Sequence, residues 1–140
     1  MFPKIIEGGC YVDQRGSISY VNDFHFSDIE RFYLITNSVD NPIRGWHGHK
    51  LDAKSFYCIR GSMKIHCVKI DNWEHPSKNL KIETILVSEN ESKIVQIPPG
   101  YANAIESIEK DSKLLSFSTL PLSELANDDI RYDLDYWKVK

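Results

Sequence analysis

Apolar and polar residues alternate in short runs along most of this chain, and the period is two. Side chains on an extended strand point to opposite faces in turn, so this pattern predicts strands. The clearest run is Ser62-Met63-Lys64-Ile65-His66-Cys67-Val68-Lys69-Ile70, with Met63, Ile65 and Cys67 on one face. Further strands are expected over Ile5–Val12, Gly16–Val21, Ile29–Thr36, Gly45–His49, Lys54–Arg60, Leu80–Val87, Lys93–Ile97, Asn103–Ile108 and Lys113–Ser118. Turn signals separate them: Gly8-Gly9, Asp13-Gln14-Arg15-Gly16, Asn41-Pro42, Arg60-Gly61-Ser62, Ser88-Glu89-Asn90 and Pro98-Pro99-Gly100. Helix is sparse, with single turns expected at Ser27–Glu30 and Pro121–Leu125. Many short strands with turns every 8–12 residues indicate an all-β sandwich, jelly roll or barrel. No repeat or linker divides residues 1–140, so one domain is expected. The last nine residues hold three aromatics, Tyr132, Tyr136 and Trp137, and are expected to dock on the barrel or on a second subunit.

Composition sharpens this picture little. The chain is 41% hydrophobic, enough for a core and too apolar for disorder. Its net charge of -3 comes with no basic run, which argues against a nucleic-acid partner. Cys10, Cys58 and Cys67 are odd in number and form no CxxC, so they are read as free thiols. The N-terminus has no long apolar core and nowhere do 18 apolar residues run together, so a cytoplasmic protein with no membrane partner is expected.

Candidate chemistry is concentrated in Ile43-Arg44-Gly45-Trp46-His47-Gly48-His49-Lys50. On a strand, His47 and His49 point the same way. Two imidazoles beside an arginine and a lysine either hold a metal or move protons on an anionic substrate. His25, His66 and His75 have no motif around them, Gly61 reads as a turn glycine, and Asp128-Asp129 reads as a solvated acidic face.

The spacing His47-x-His49, four residues, Lys54, six residues, Gly61 resembles the first metal motif of the cupin superfamily, with Lys54 where a glutamate ligand would stand. Pro98-Pro99-Gly100-Tyr101-Ala102-Asn103 resembles the second motif, with Asn103 in place of a histidine. The resemblance implies a cupin double-stranded β-helix, or jelly roll. An ammonium group at one ligand position and a carboxamide at another imply a site without metal.

Two metal-free cupin families share these features. Arg44-Gly45-Trp46-His47 resembles the RGxH of nucleotide-diphosphate 4-keto-6-deoxy-sugar 3,5-epimerases, whose histidine is the base. Asp13-Gln14-Arg15-Gly16 is similar to their diphosphate-binding DxRG, and Ile130-Arg131-Tyr132-Asp133 to their closing segment, whose aspartate pairs with the base. By register, Asp135 competes with Asp133 for that role. The RGxHxHK pattern of Arg44–Lys50 and the strand Ile29–Ile35 resemble the dTDP-4-keto-6-deoxyglucose 3,4-ketoisomerases, where both histidines work in proton transfer. The epimerases' tyrosine acid, carried on the strand after PxGxxHG, has no counterpart in Leu114–Thr119.

The resemblance thus implies an isomerase of a nucleotide-diphosphate-linked 4-keto-6-deoxy sugar. Epimerisation is the first reading, 3,4-ketoisomerisation the alternative, and a non-catalytic sugar-binding cupin the second alternative. His47, His49 and Asp133 are the expected catalytic residues. Arg15, Arg44, Lys54 and Asn103 are expected to bind substrate. No metal or organic cofactor is expected, and a homodimer is.

Overall fold

A computed structural model describes residues 1–139. Strands dominate it. The chain runs through β1 (Lys4–Glu7), β2 (Gly9–Asp13), β3 (Gly16–Tyr20), β4 (Arg31–Ile35), β5 (Ile43–His49), β6 (Lys54–Arg60), β7 (Ser62–Lys69), β8 (Glu83–Ser88), β9 (Lys93–Ile97), β10 (Tyr101–Ser107), β11 (Lys113–Ser118) and β12 (Ile130–Arg131). A 3₁₀ helix, Leu122–Asn127, precedes β12. One five-stranded sheet has the order β1-β9-β6-β11-β4 and the other β12-β5-β10-β7-β8. Their inner faces close on Phe56, Met63, Ile65, Cys67, Val95 and Leu114, all buried. This is the expected jelly roll, with inward and outward residues alternating along each strand.

The structure differs from the expected elements in three places. The run expected as one strand from Ile5 to Val12 breaks at Gly8, where β1 leaves to pair with β9 and β2 pairs with β3. A Cβ at Gly8 would lie 2.0 Å from the Tyr20 carbonyl, so only glycine permits this passage. Residues Ser27–Glu30 form no helix. β12 is a strand that no local pattern announced, two residues held to β5 by Ile130↔Gly48 and Arg131↔His47.

The C-terminal aromatics dock on the barrel itself. Trp46 and Gly48 alternate with His47 and His49, so they face outward from β5. Trp46 is fully buried there against Trp137, edge to face at 5.4 Å, and its indole N–H donates to the carbonyls of Leu134 and Trp137. Tyr132 and Tyr136 pack on the same cluster. The inward half of β5 thus carries chemistry, and the outward half anchors the tail. Cys58 and Cys67 are buried free thiols, as expected, and burial pushes them up to about 11 and about 12. Among the described residues no helix is long and apolar enough to cross a membrane.

Candidate active site

The inward faces of β4, β5, β6 and β10 line an open cavity of about 370 Å³, within the range of small-molecule sites. His47, His49, Arg44, Lys54 and Asn103 all border it, so five of the seven residues singled out in the sequence come together. Their convergence follows from register. Asn103 on β10 pairs with His47 on β5, and period two then brings His49 to the same face.

His49 is buried, and its Nδ1 lies 2.7 Å from the backbone carbonyl of Asp128. A carbonyl only accepts, so Nδ1 carries the proton of the neutral ring and Nε2 keeps its lone pair. Burial depresses the His49 pKa, and the Lys54 charge adds to that effect. His47 Nδ1 faces Asp129 Oδ1 at 3.5 Å, an electrostatic contact longer than a well-formed hydrogen bond. Burial also depresses His47; Asp129 opposes this, while Arg131 and His49 reinforce it. Both rings therefore favour the neutral form that accepts a proton.

Lys54 Nζ pairs with Asp52 Oδ2 at 2.9 Å, with both side chains buried. Asp52 also accepts from the Ser118 and Thr119 hydroxyls and the Thr119 N–H. Burial raises the Asp52 pKa, but Lys54 and these donors outweigh it and hold the carboxyl low. The ammonium also lies 5.1 Å from the centre of the Tyr33 ring, and the Arg31 guanidinium 5.0 Å. Arg31 Nε is buried and meets no acceptor among the described residues. Arg31, Arg44, Lys54 and Arg131 line the cavity, and Asp129 is the one carboxylate among the lining residues. That imbalance suits an anionic ligand.

Two expected site residues lie elsewhere. Asp133 is not beside His47. It borders a separate depression with Ile43, Leu134 and Asp135, so Asp135 does not fill the role either. The reason is the direction of the chain after β12. Tyr132 exchanges backbone hydrogen bonds with Trp46, and Asp133 then enters the turn toward Tyr136, already past His47. The carboxylate that meets His47 belongs to Asp129. Arg15 sits at the exposed turn of the β2–β3 hairpin, paired with Asp13 at 2.7 Å, and does not border the cavity.

Arg31, Tyr33, Asp52, Asp129 and Arg131 join the site although none is among the site residues expected from sequence. Alternation along Arg31-x-Tyr33-x-Ile35 signals the shared face of the first two. Asp52 lies in a turn whose local pattern carries no such signal. The reading of Asp128-Asp129 as a solvated face is corrected: Asp128 is 1% exposed and Asp129 borders the cavity. Among the described residues no group of three His, Cys, Asp or Glu side chains could hold a metal ion.

Solved structures share this architecture. The sugar 3,4-ketoisomerase QdtA from Thermoanaerobacterium thermosaccharolyticum, in complex with TDP, is 23% identical with a TM-score of 0.71, over 96% of this chain and 90% of that one. The TDP-quinovose 3,4-ketoisomerase WlaRB from Campylobacter jejuni is 21% identical with a TM-score of 0.70, over 96% and 95%. The 3'-monoepimerase ChmJ from Streptomyces bikiniensis, in complex with dTDP-quinovose, is 17% identical with a TM-score of 0.68, over 84% and 63%. No curated protein sequence matches the chain. The family described as FdtA, WxcM-like, C-terminal matches residues 2–139, and the chain belongs to it.

Proposed function

We propose that this protein is an isomerase that moves protons on a nucleotide-diphosphate-linked 4-keto-6-deoxy sugar. The carrying observation is the pair of imidazoles with Nδ1 engaged and with no hydrogen-bond partner on Nε2 among the described residues, set in a cavity lined by four cations. His47 or His49 removes the proton alpha to the ketone, which the carbonyl makes acidic. Lys54 and the arginines stabilise the enolate and hold the diphosphate. Asp129 supports the imidazolium that forms at His47. Asn103, beside His47, hydrogen-bonds a sugar oxygen. The ketone supplies the activation, so the chemistry calls for no metal or organic cofactor. The ketoisomerases and the epimerase that share the fold support this class of substrate.

Two observations favour 3,4-ketoisomerisation over the epimerisation placed first by sequence. Both histidines border the cavity, and β11 carries Ser116 rather than a tyrosine at the position paired with Tyr33 of β4 and Phe56 of β6. In that reaction one base takes the C3 proton, the electrons form an enediolate across C3 and C4, the hydroxyl proton passes from O3 to O4, and a proton returns at C4. Nothing is gained or lost overall.

We further propose a cytoplasmic homodimer that serves polysaccharide biosynthesis. Among the described residues the β2–β3 hairpin pairs with no other strand, and it exposes Tyr11, Val12 and Ile18, a surface suited to a second copy. If Arg15 binds substrate, it does so across that interface. A mass of two chains by light scattering, with lower affinity in an Arg15→Ala variant, is the expected result.

Incubation with dTDP-4-keto-6-deoxyglucose in D₂O, followed by NMR, tests the function. A 3-keto product with deuterium at C4 supports ketoisomerisation. An inverted carbon with deuterium supports epimerisation. Ligand-induced stabilisation without deuterium uptake would show a binding protein instead. A His47→Asn variant that exchanged at the parental rate would remove His47 as the base.

A further inference from the structure

Asp128 is buried, yet no lysine or arginine pairs with it among the described residues; the nearest titratable nitrogen is His49 Nδ1, 3.8 Å away. Backbone amides compensate its charge. The carboxylate accepts the N–H of Lys50 at 2.7 Å, of Leu51 at 3.0 and 3.2 Å, and of Asp52 at 2.8 Å. Those three residues are part of the link between β5, which carries both histidines, and β6, which begins at Lys54. The same residue's carbonyl accepts from His49 Nδ1. The next residue, Asp129, meets His47, and Arg131 is bound to Asp129 at 3.0 Å.

We propose that Asp128 is a positioning residue: its carboxylate clamps the turn at residues 50–52, fixing His49 with Nε2 toward the cavity and aligning the Asp52–Lys54 pair. The catalytic consequence rests on the function proposed above; the positioning itself does not. Only a carboxylate suits the place. Its two oxygens offer enough lone pairs for three amides, whereas asparagine offers one acceptor oxygen and turns an NH₂ toward backbone N–H groups. A buried amide left unpaired is expelled toward water, which would shift the turn. A displacement of about 1 Å at a reacting group can cost about a hundredfold in rate.

The experiment compares Asp128→Asn and Asp128→Ala with the parent by two readouts. In ¹⁵N imidazole spectra of the free protein at about pH 8, where the ring is neutral, parental His49 is expected as the single Nδ1–H tautomer. The alanine variant should show a mixture, and the asparagine variant an intermediate state. In turnover, kcat should fall about ten- to a hundredfold in the alanine variant, less in the asparagine variant, with KM within about threefold. Should the alanine variant not fold, the asparagine variant is read by the same two measurements. A retained single tautomer at His49 overturns the proposal, whether or not activity is lost. Parental kcat with a mixed tautomer overturns it as well. A parent inactive on nucleotide sugars would defeat the functional reading, while the tautomer would still decide the positioning.

Discussion

His47 and Asp129 face each other across the β5–β12 ladder, Nδ1 to Oδ1 at 3.5 Å, although 82 positions separate them in sequence. Asp129 also accepts from Arg131 Nε and Nη2, so its charge is shared between the imidazole and the guanidinium. Burial raises the Asp129 pKa, but Arg131 and His47 outweigh it and keep the carboxyl ionised below the usual range.

Replacing Asp129 by asparagine removes the group that raises the His47 pKa and leaves Arg131, which lowers it. The acid limb of the deuterium-exchange rate should therefore move to lower pH. The plateau rate should fall about ten- to a hundredfold, since the imidazolium loses its counter-charge. Exchange followed by NMR across pH checks both. An unmoved acid limb would mean that Asp129 does not act on the base.

Stability should fall in mild acid. Both histidines are depressed below 6.5 in the folded protein, so between that value and their folded pKa values the unfolded chain binds more protons. The stability they contribute is present above 6.5 and is lost as pH drops toward the folded values. Urea midpoints should be lower at about pH 5.5 than at about pH 7.5, and the gap should shrink in a His47→Asn, His49→Asn double variant. An equal gap in parent and double variant would place the acid sensitivity elsewhere.

Lys54 and Asp52 form a buried pair, and breaking one side strands the other charge. Lys54→Met should cost about 3–5 kcal/mol, while the double change with Asp52→Asn should recover much of that loss. Activity should not recover in the double variant, because the cavity still lacks its ammonium group. Chemical denaturation and product analysis separate the two effects.

Gly48 is held to its identity by the outward face of the motif. A Cβ there would come within 2.7 Å of the Trp73 ring and 3.3 Å of the Ile130 carbonyl. Gly48→Ala should destabilise by about 1–3 kcal/mol, seen as a lower Tm. It should also loosen β12 and slow turnover, because Gly48 pairs with Ile130 next to Asp129.

Alternation by itself determined a great deal. It made β5 a strand and put His47 and His49 on one face. It also placed Trp46 and Gly48 on the other. The positions of Lys54 and Asn103 followed from motif spacing, and both border the cavity. What only the tertiary structure decided is which carboxylate reaches which imidazole. A strand of two residues has too few side chains to encode its register in a local pattern. Its pairing is set by the docking of Trp137 and Tyr132 on Trp46, contacts that join the end of the chain to β5. That docking carries Asp133 past His47 and delivers Asp129 to it. It also buries Asp128, an apparent surface charge, among the amides of a turn nearly eighty residues earlier.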